Sequence, residues 1–273
     1  MRKRHWYVLF MGVVVCGALI TVGAAETKGK GRRIIPPDEF GTNIINQLSE
    51  KNKVPPVTFR HWIHRAKHTC RLCHVDIGFA QEQGVIIMHE DDLRKGRYCG
   101  VCHNGKEAFS NTGKPPAEFE GVITSSWEKG KACPLCHTTE NAWMRNKFYA
   151  TVAKLPKGRF GNGVDWAAAE REGLVKPKDF IEGVSFPKRK MQIEKSNVNM
   201  SARIEGMQDI IFSHKDHAAW TGCEMCHPDP WSVKGKTTKS TMEEIFQGKY
   251  CGICHGKAAF PLTDCGRCHL KPV

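Results

Sequence analysis

Twelve of the thirteen cysteines in this 273-residue sequence fall in six copies of one pentapeptide, Cys-x-x-Cys-His. The copies are Cys70-Cys73-His74, Cys99-Cys102-His103, Cys133-Cys136-His137, Cys223-Cys226-His227, Cys251-Cys254-His255 and Cys265-Cys268-His269. Two thiols three residues apart with an imidazole directly after the second form the attachment signature of c-type haem. The thiols become thioethers to the two vinyl groups and the histidine becomes the proximal iron ligand. Twelve thioether donors and six proximal histidines thus imply six covalently bound haem c groups. Competing chemistries fit less well. Zinc takes four ligands and gives no reason for a histidine after every second cysteine. A thioredoxin-type dithiol occurs singly between a strand and a helix, and a disulfide scaffold neither demands the histidines nor suits an odd total.

The remaining cysteine, Cys16, lies near the N-terminus, where Arg2, Lys3 and Arg4 precede an apolar run from Trp6 to Val22, followed by the small residues Gly23, Ala24 and Ala25. That is the layout of a secretory signal peptide, with cleavage expected near Ala24 or Ala25. The run is also just long enough to cross a bilayer as an uncleaved anchor. No second long apolar run follows, so the rest reads as soluble. Val13, Val14 and Val15 before Cys16 are bulky where a lipoprotein signal has small residues. Export implies a periplasmic location and disfavours nucleic acid as the partner of a net charge of +13. Basic side chains around haem propionates would absorb much of that charge, and any residual basic face would attract acidic redox partners or anionic lipid headgroups. With 40% apolar and 25% charged residues, the chain is neither a disordered tail nor a polytopic membrane protein.

An internal repeat organises the motifs. Phe59-x-His61-x-x-His64 stands before Cys70 at the same offsets as Phe212-x-His214-x-x-His217 before Cys223. Gly96-Arg97-Tyr98-Cys99-Gly100 at the second motif mirrors Gly248-Lys249-Tyr250-Cys251-Gly252 at the fifth. Gly105-Lys106-Glu107-Ala108-Phe109 likewise mirrors Gly256-Lys257-Ala258-Ala259-Phe260. The third and sixth motifs close the two units. The first unit carries an insertion that includes Pro115-Pro116: 29 residues separate His103 from Cys133, against 9 between His255 and Cys265.

Phe-x-His-x-x-His followed by three haem motifs, with Gly-Lys-Tyr before the middle one, resembles the small class III multihaem cytochromes of the trihaem c7 and tetrahaem c3 types. The resemblance covers roughly residues 57 to 137 and 210 to 269. It implies two trihaem modules in tandem and a fold that is mostly irregular with short α-helices, a haem-packed core and little or no sheet. It also implies distal iron ligands. The first histidine of Phe-x-His-x-x-His serves the first haem of its module and the second serves the middle haem, which gives His61 and His64, then His214 and His217. In that family the third haem takes its distal ligand from the segment before the middle motif, but Lys95 and Gln247 stand where the family has a histidine directly before Gly-Lys. For the third haem His89 is preferred to Met88, with His68 as a further alternative; for the sixth, Met242 is the candidate. His68 and His89 align with Thr221 and Thr241, so they are not equivalent ligands of a repeat. A thioether ligand would raise the potential of its haem relative to a second imidazole.

The domain plan is a signal peptide or anchor at 1–25, an irregular N-terminal arm at 26–56 with a helical stretch near Asn43 to Lys51, and trihaem module 1 at 57–140. A linker wrapping the haems comes next at 141–203, with a short helix over Asp165 to Glu172, and trihaem module 2 occupies 204–273. At roughly 40 residues per haem the chain has little apolar core of its own, so the haem-free protein is expected to be largely unfolded. The expected function is an exported hexahaem electron carrier or wire in anaerobic-type respiration, not an enzyme. It would take electrons from a membrane-associated donor and pass them to another cytochrome or a terminal reductase, with the N-terminal run available for membrane association. Two alternatives stay open from sequence: a multihaem reductase in which one iron lacks a distal protein ligand, and a haem subunit of a larger membrane redox complex.

Overall fold

β-branched residues dominate two short segments that pair early in the chain. Strand β1 (Thr42–Ile45) runs antiparallel to β2 (Val57–Arg60), with Thr42 opposite Arg60 and Ile45 opposite Val57. The helix expected near Asn43 to Lys51 is therefore not formed. The first residues of that stretch have a cross-strand partner, which suits Ile44 and Ile45 better than a helix does. After β1 the chain runs through a set of turns, with isolated helix-like bonds from Glu50 N–H to Asn46 O and from Asn52 N–H to Leu48 O. Lys53, at φ 55°, closes them.

This computed structural model describes residues 34–110, 133–138, 142–187, 197–235 and 237–271. The expected signal segment 1–25 with Cys16, the start of the arm, the insertion around Pro115-Pro116 and the Cys133 side chain lie outside the described residues. From Ile35 onward the contacts form one unit. Its helices are short: α1 (His61–Arg65), α2 (Glu90–Arg94), α3 (Cys133–Cys136), α4 (Ala142–Val152), α5 (Trp166–Arg171), α6 (His214–Thr221) and α7 (Met242–Phe246). A second sheet, also antiparallel, has the order β3 (Val198–Met200), β4 (Asp209–Phe212), β5 (His269–Lys271). The rest is mostly irregular, in keeping with the expected fold class. Helix α5 falls where the sequence placed it, with the Asp165 carboxylate accepting from Ala168 N–H at its N-cap. Among the described residues no helix is long and apolar enough to cross a membrane.

The largest apolar cluster lies outside the haem motifs. Phe148 and Val152 of α4, Trp166 and Ala169 of α5, and Val164 and Val175 pack on Trp62 of α1; Trp62, Phe148 and Ala169 are almost wholly buried. Residues 142–175 are thus anchored to the helix that carries His61 and His64. Polar contacts tie them elsewhere as well. Asn162 donates to Pro37 O and Phe40 O, Arg145 pairs with Asp38, and Arg267 of the sixth motif pairs with Asp165.

Candidate haem-binding sites

A Cys-x-x-Cys-His motif can present two thiols and an imidazole together only if it closes into one helical turn, because residues i, i+3 and i+4 then share a face. Turn closure recurs along the chain. His103 N–H bonds to Cys99 O, His227 N–H to Cys223 O and His255 N–H to Cys251 O, while Cys268 N–H bonds to Cys265 O. None of the eleven described thiols is in a disulfide. Burial, with neighbouring thiols adding to it, pushes Cys73 and Cys254 up to about 12; burial likewise takes Cys99 and Cys251 up to about 11. Redox dithiols and zinc thiolates need the opposite, an environment that lowers the thiol pKa. Among the described residues no group of three or more His, Cys, Asp or Glu side chains could hold a metal ion.

All six motif histidines place Nδ1 against a backbone carbonyl. The acceptors are Phe79 O for His74 (3.0 Å), Phe109 O for His103 (3.3 Å), Pro55 O for His137 (2.7 Å), Trp231 O for His227 (2.6 Å), Phe260 O for His255 (3.3 Å) and Gln208 O for His269 (2.6 Å). A carbonyl only accepts, so Nδ1 carries the proton and Nε2 keeps its lone pair for a metal. The partners keep the register of the repeat. Pro55 and Gln208 each stand four residues before the phenylalanine of Phe-x-His-x-x-His, and the closing histidine of each unit joins the strand there, His137 bridging to Val57 and His269 pairing with Ile210. The rings of His103 and Phe109 and of His255 and Phe260 meet at the same 4.2 Å centroid spacing.

The Phe-x-His-x-x-His segments occupy strand-to-helix corners. Phe59 lies near the close of β2 and Phe212 ends β4; His61 and His214 are the first residues of α1 and α6, and His64 and His217 come one turn later. Phe59 stacks on His64 at 4.4 Å and Phe212 on His217 at 4.2 Å. Backbone carbonyls take Nδ1–H of His64 (Arg60 O, 2.9 Å) and of His217 (Ser213 O, 2.8 Å). These two rings then face the middle motifs: His64 and His103 have centroids 6.4 Å apart, His217 and His255 6.2 Å apart, with interplanar angles of 65° and 62°. A metal bound about 2 Å from each of two imidazole nitrogens, with each centroid roughly 1 Å further back, requires centroids about 6 Å apart. Burial keeps these rings neutral, holding His64 and His255 down at about 4.

His61 donates Nδ1–H to Gly41 O at 2.7 Å; burial lowers its pKa, and nearby His74 of the first motif lowers it further. His214 has no such carbonyl, and its buried Nδ1 has no hydrogen-bond partner. His89 and Thr241 occupy matching N-cap positions on α2 and α7, where their N–H groups donate to Asp92 Oδ2 (3.3 Å) and Glu244 Oε2 (3.0 Å). His89 is exposed there, and Met242 is the half-buried first residue of α7. Buried Nδ1 of His68 has no partner. Among the described residues, imidazole pairs at metal-bridging spacing form at the second and fifth motifs, and no ring pair joins His137 or His269 to a second imidazole.

The middle motifs share a further device. Helices α2 and α7 end in Schellman caps, with Gly96 N–H to Leu93 O and Arg97 N–H to Asp92 O in one unit, and Gly248 N–H to Ile245 O and Lys249 N–H to Glu244 O in the other. Gly96 and Gly248, at φ 73° and 89°, supply the left-handed residue this cap requires. Gly100 and Gly252, inside the motifs, then press directly on Leu93 O and Ile245 O. The sequence pairing of Cys99-Gly100 with Cys251-Gly252 marked these positions, and the repeat paired Phe109 with Phe260; the other carbonyl partners of the imidazoles were not singled out by the sequence.

Thiols outside any disulfide, most of them desolvated, on one turn with a neutral imidazole whose Nε2 is free suit covalent haem c. Residues 57–138 and 210–270, more than half of the chain, match the family described as cytochrome c7 and related cytochrome c, and the chain belongs to that family. It is a multihaem c-type cytochrome related to electron-transfer proteins. Cytochrome c3 of Desulfuromonas acetoxidans is 33% identical over 63 residues, which span 23% of this chain and 84% of that protein. Among solved structures, a c7-type three-haem cytochrome domain is 36% identical, with 32% of this chain covering 99% of it at a TM-score of 0.25. The C-terminal hexahaem fragment of a dodecahaem cytochrome c is 21% identical, with 84% of this chain covering 96% of the fragment at a TM-score of 0.26.

Proposed function

We propose that the protein is an exported hexahaem cytochrome that relays single electrons along its length in the periplasm, as a carrier or wire of anaerobic-type respiration. The observation that carries this reading is the facing of His64 with His103 and of His217 with His255, each ring neutral with Nε2 free. Two imidazole nitrogens at this spacing would hold a haem iron between them and leave no position for a substrate. In this reading the thioether donors are the twelve motif cysteines, from Cys70 and Cys73 to Cys265 and Cys268. The proximal ligands are His74, His103, His137, His227, His255 and His269, and the distal ligands are His61, His64, His214 and His217. His89 and Met242 are the distal candidates at the third and sixth sites.

Bound haem would supply one-electron ferric/ferrous chemistry at each site. The chain's own contribution is to fix the tautomer and tilt of the six motif imidazoles and of His61, His64 and His217 through a carbonyl, and to shield rings with Phe59, Phe109, Phe212 and Phe260. Partners in this reading are other redox proteins: a membrane-associated donor and a cytochrome or terminal reductase as acceptor.

A mass spectrum of the native protein tests the count, with six covalent haems and an N-terminus near Glu26 expected. Electron paramagnetic resonance of the oxidised protein should be low-spin throughout. A high-spin ferric haem that binds cyanide rapidly would favour the reductase reading, and the third or sixth site is where it would lie. A near-infrared band of methionine ligation at the sixth site checks Met242, and its absence removes Met242 as a ligand.

A further inference from the structure

The two trihaem units meet at a defined place. The loop after the fifth motif lies against Gly41 and His61: a Cβ on Gly41 would sit 3.2 Å from Lys257 O, 3.5 Å from His61 Cβ and 3.7 Å from Ala258 Cα. Beside it, Arg71 of the first motif is buried against the fourth. Its Nε lies 3.9 Å from Glu224 Oε2, and a Cβ on Gly222 would fall 2.7 Å from its Cδ. Gln81 Nε2 donates to Met225 O, again inside the fourth motif, at 3.2 Å. The first site of one unit therefore faces the fourth and fifth sites of the other.

Arg65 stands in this contact. It closes α1, directly after His64, and its Nη1 donates to Ala258 O at 2.9 Å; the Ala258 N–H in turn bonds to Cys254 O. Its guanidinium lies against two indoles, 4.8 Å from the Trp166 ring and 5.3 Å from the Trp220 ring. Nε is buried and has no hydrogen-bond partner. Burial disfavours its charged form; Cys70, Cys254 and Glu170 are the groups near enough to act against this, and two of them are thiols that thioether formation leaves uncharged. A desolvated cation with an unmet donor calls for an anion. The planar guanidinium fork suits a carboxylate.

We propose that Arg65 is the carboxylate clamp of the crossing between the two units. It binds a propionate of the haem attached at Cys70 and Cys73 or of the haem attached at Cys251 and Cys254, and it fixes the spacing and potential at which an electron passes between them. This rests on the hexahaem reading. It makes Arg65 a positioning residue, acting through the cofactors.

The test is a redox titration of the full holoprotein with haem signals assigned by NMR, comparing wild type with Arg65→Gln and Arg65→Lys. Loss of the guanidinium leaves a carboxylate uncompensated and favours ferric iron. In R65Q the ferric-to-ferrous ratio at fixed potential should rise three- to tenfold at the first or fifth haem, a fall of about 28–59 mV for one electron. The haem with the larger shift is the source of the propionate. R65K, which keeps the charge, should stay within twofold of wild type. An R65Q protein with six haems and no shift above twofold, or with all six haems shifted alike, overturns the proposal. If R65Q fails to mature, R65K decides: wild-type potentials support the clamp, and the same maturation failure assigns Arg65 a shape-filling role instead. A wild-type mass below six haems would overturn the hexahaem reading itself.

Discussion

Gly100 and Gly252 come directly after the first cysteine of the second and fifth motifs and face the end of the preceding helix. A Cβ at Gly100 would lie 2.0 Å from Leu93 O and 2.8 Å from its carbonyl carbon; at Gly252 the distances to Ile245 are 1.9 Å and 2.9 Å. Carbon–oxygen contacts ordinarily begin at about 3.3 Å, so alanine would force helix and motif apart by more than about 1 Å. The obstacle is backbone, which no rotamer change relieves. Overpacking costs about 1–3 kcal/mol. The displacement also strains the two Schellman bonds of α7, Gly248 N–H to Ile245 O and Lys249 N–H to Glu244 O, both 3.0 Å, at about 0.5–1.5 kcal/mol each. Gly252→Ala is thus expected to destabilise by about 2–6 kcal/mol, a large share of the about 5–15 kcal/mol that holds a domain together. Gly266 is a matched control. It stands directly after the first cysteine of the sixth motif, yet a Cβ there meets nothing within 4 Å. Gly266→Ala should be neutral or slightly stabilising, by up to about 1 kcal/mol through the unfolded chain. Guanidinium unfolding of the holoproteins, followed by Soret absorbance and circular dichroism, separates the two. Coincident unfolding midpoints for Gly252→Ala and Gly266→Ala would refute the close-approach argument.

Phe148→Ala empties a fully buried position against Trp62 and should cost about 3–5 kcal/mol in the same assay; a loss below about 1 kcal/mol would mean that the segment between the modules does not brace α1. His217→Ala removes the ring 6.2 Å from His255, so one haem of the second module should turn high-spin and bind cyanide, and an unchanged low-spin spectrum would count against the pair.

The candidate haem-bonding residues are legible in the sequence because their chemistry is local. Two thiols and an imidazole at i, i+3 and i+4 meet on one turn whatever surrounds them, so spacing alone places all six motifs. The repeat in register was legible for the same reason, each corner of Phe-x-His-x-x-His being a strand end and one helical turn. The packing that closes around those turns is long-range. The carbonyl that orients His137 is 82 residues away at Pro55, that of His269 is 61 away at Gln208, and Arg65 reaches Ala258 across 193. Strand β1 exists because Val57 to Arg60 offers it a partner, against a local pattern that reads as helix. Residues 141–203 carry no haem chemistry, yet they supply α4, α5 and the apolar cluster on Trp62. Sequence determined which atoms can bind the cofactors, since one turn of backbone is enough to bring them together. Tertiary structure decided which imidazoles face each other and where the two units touch, because those distances are set by packing between segments that no spacing connects.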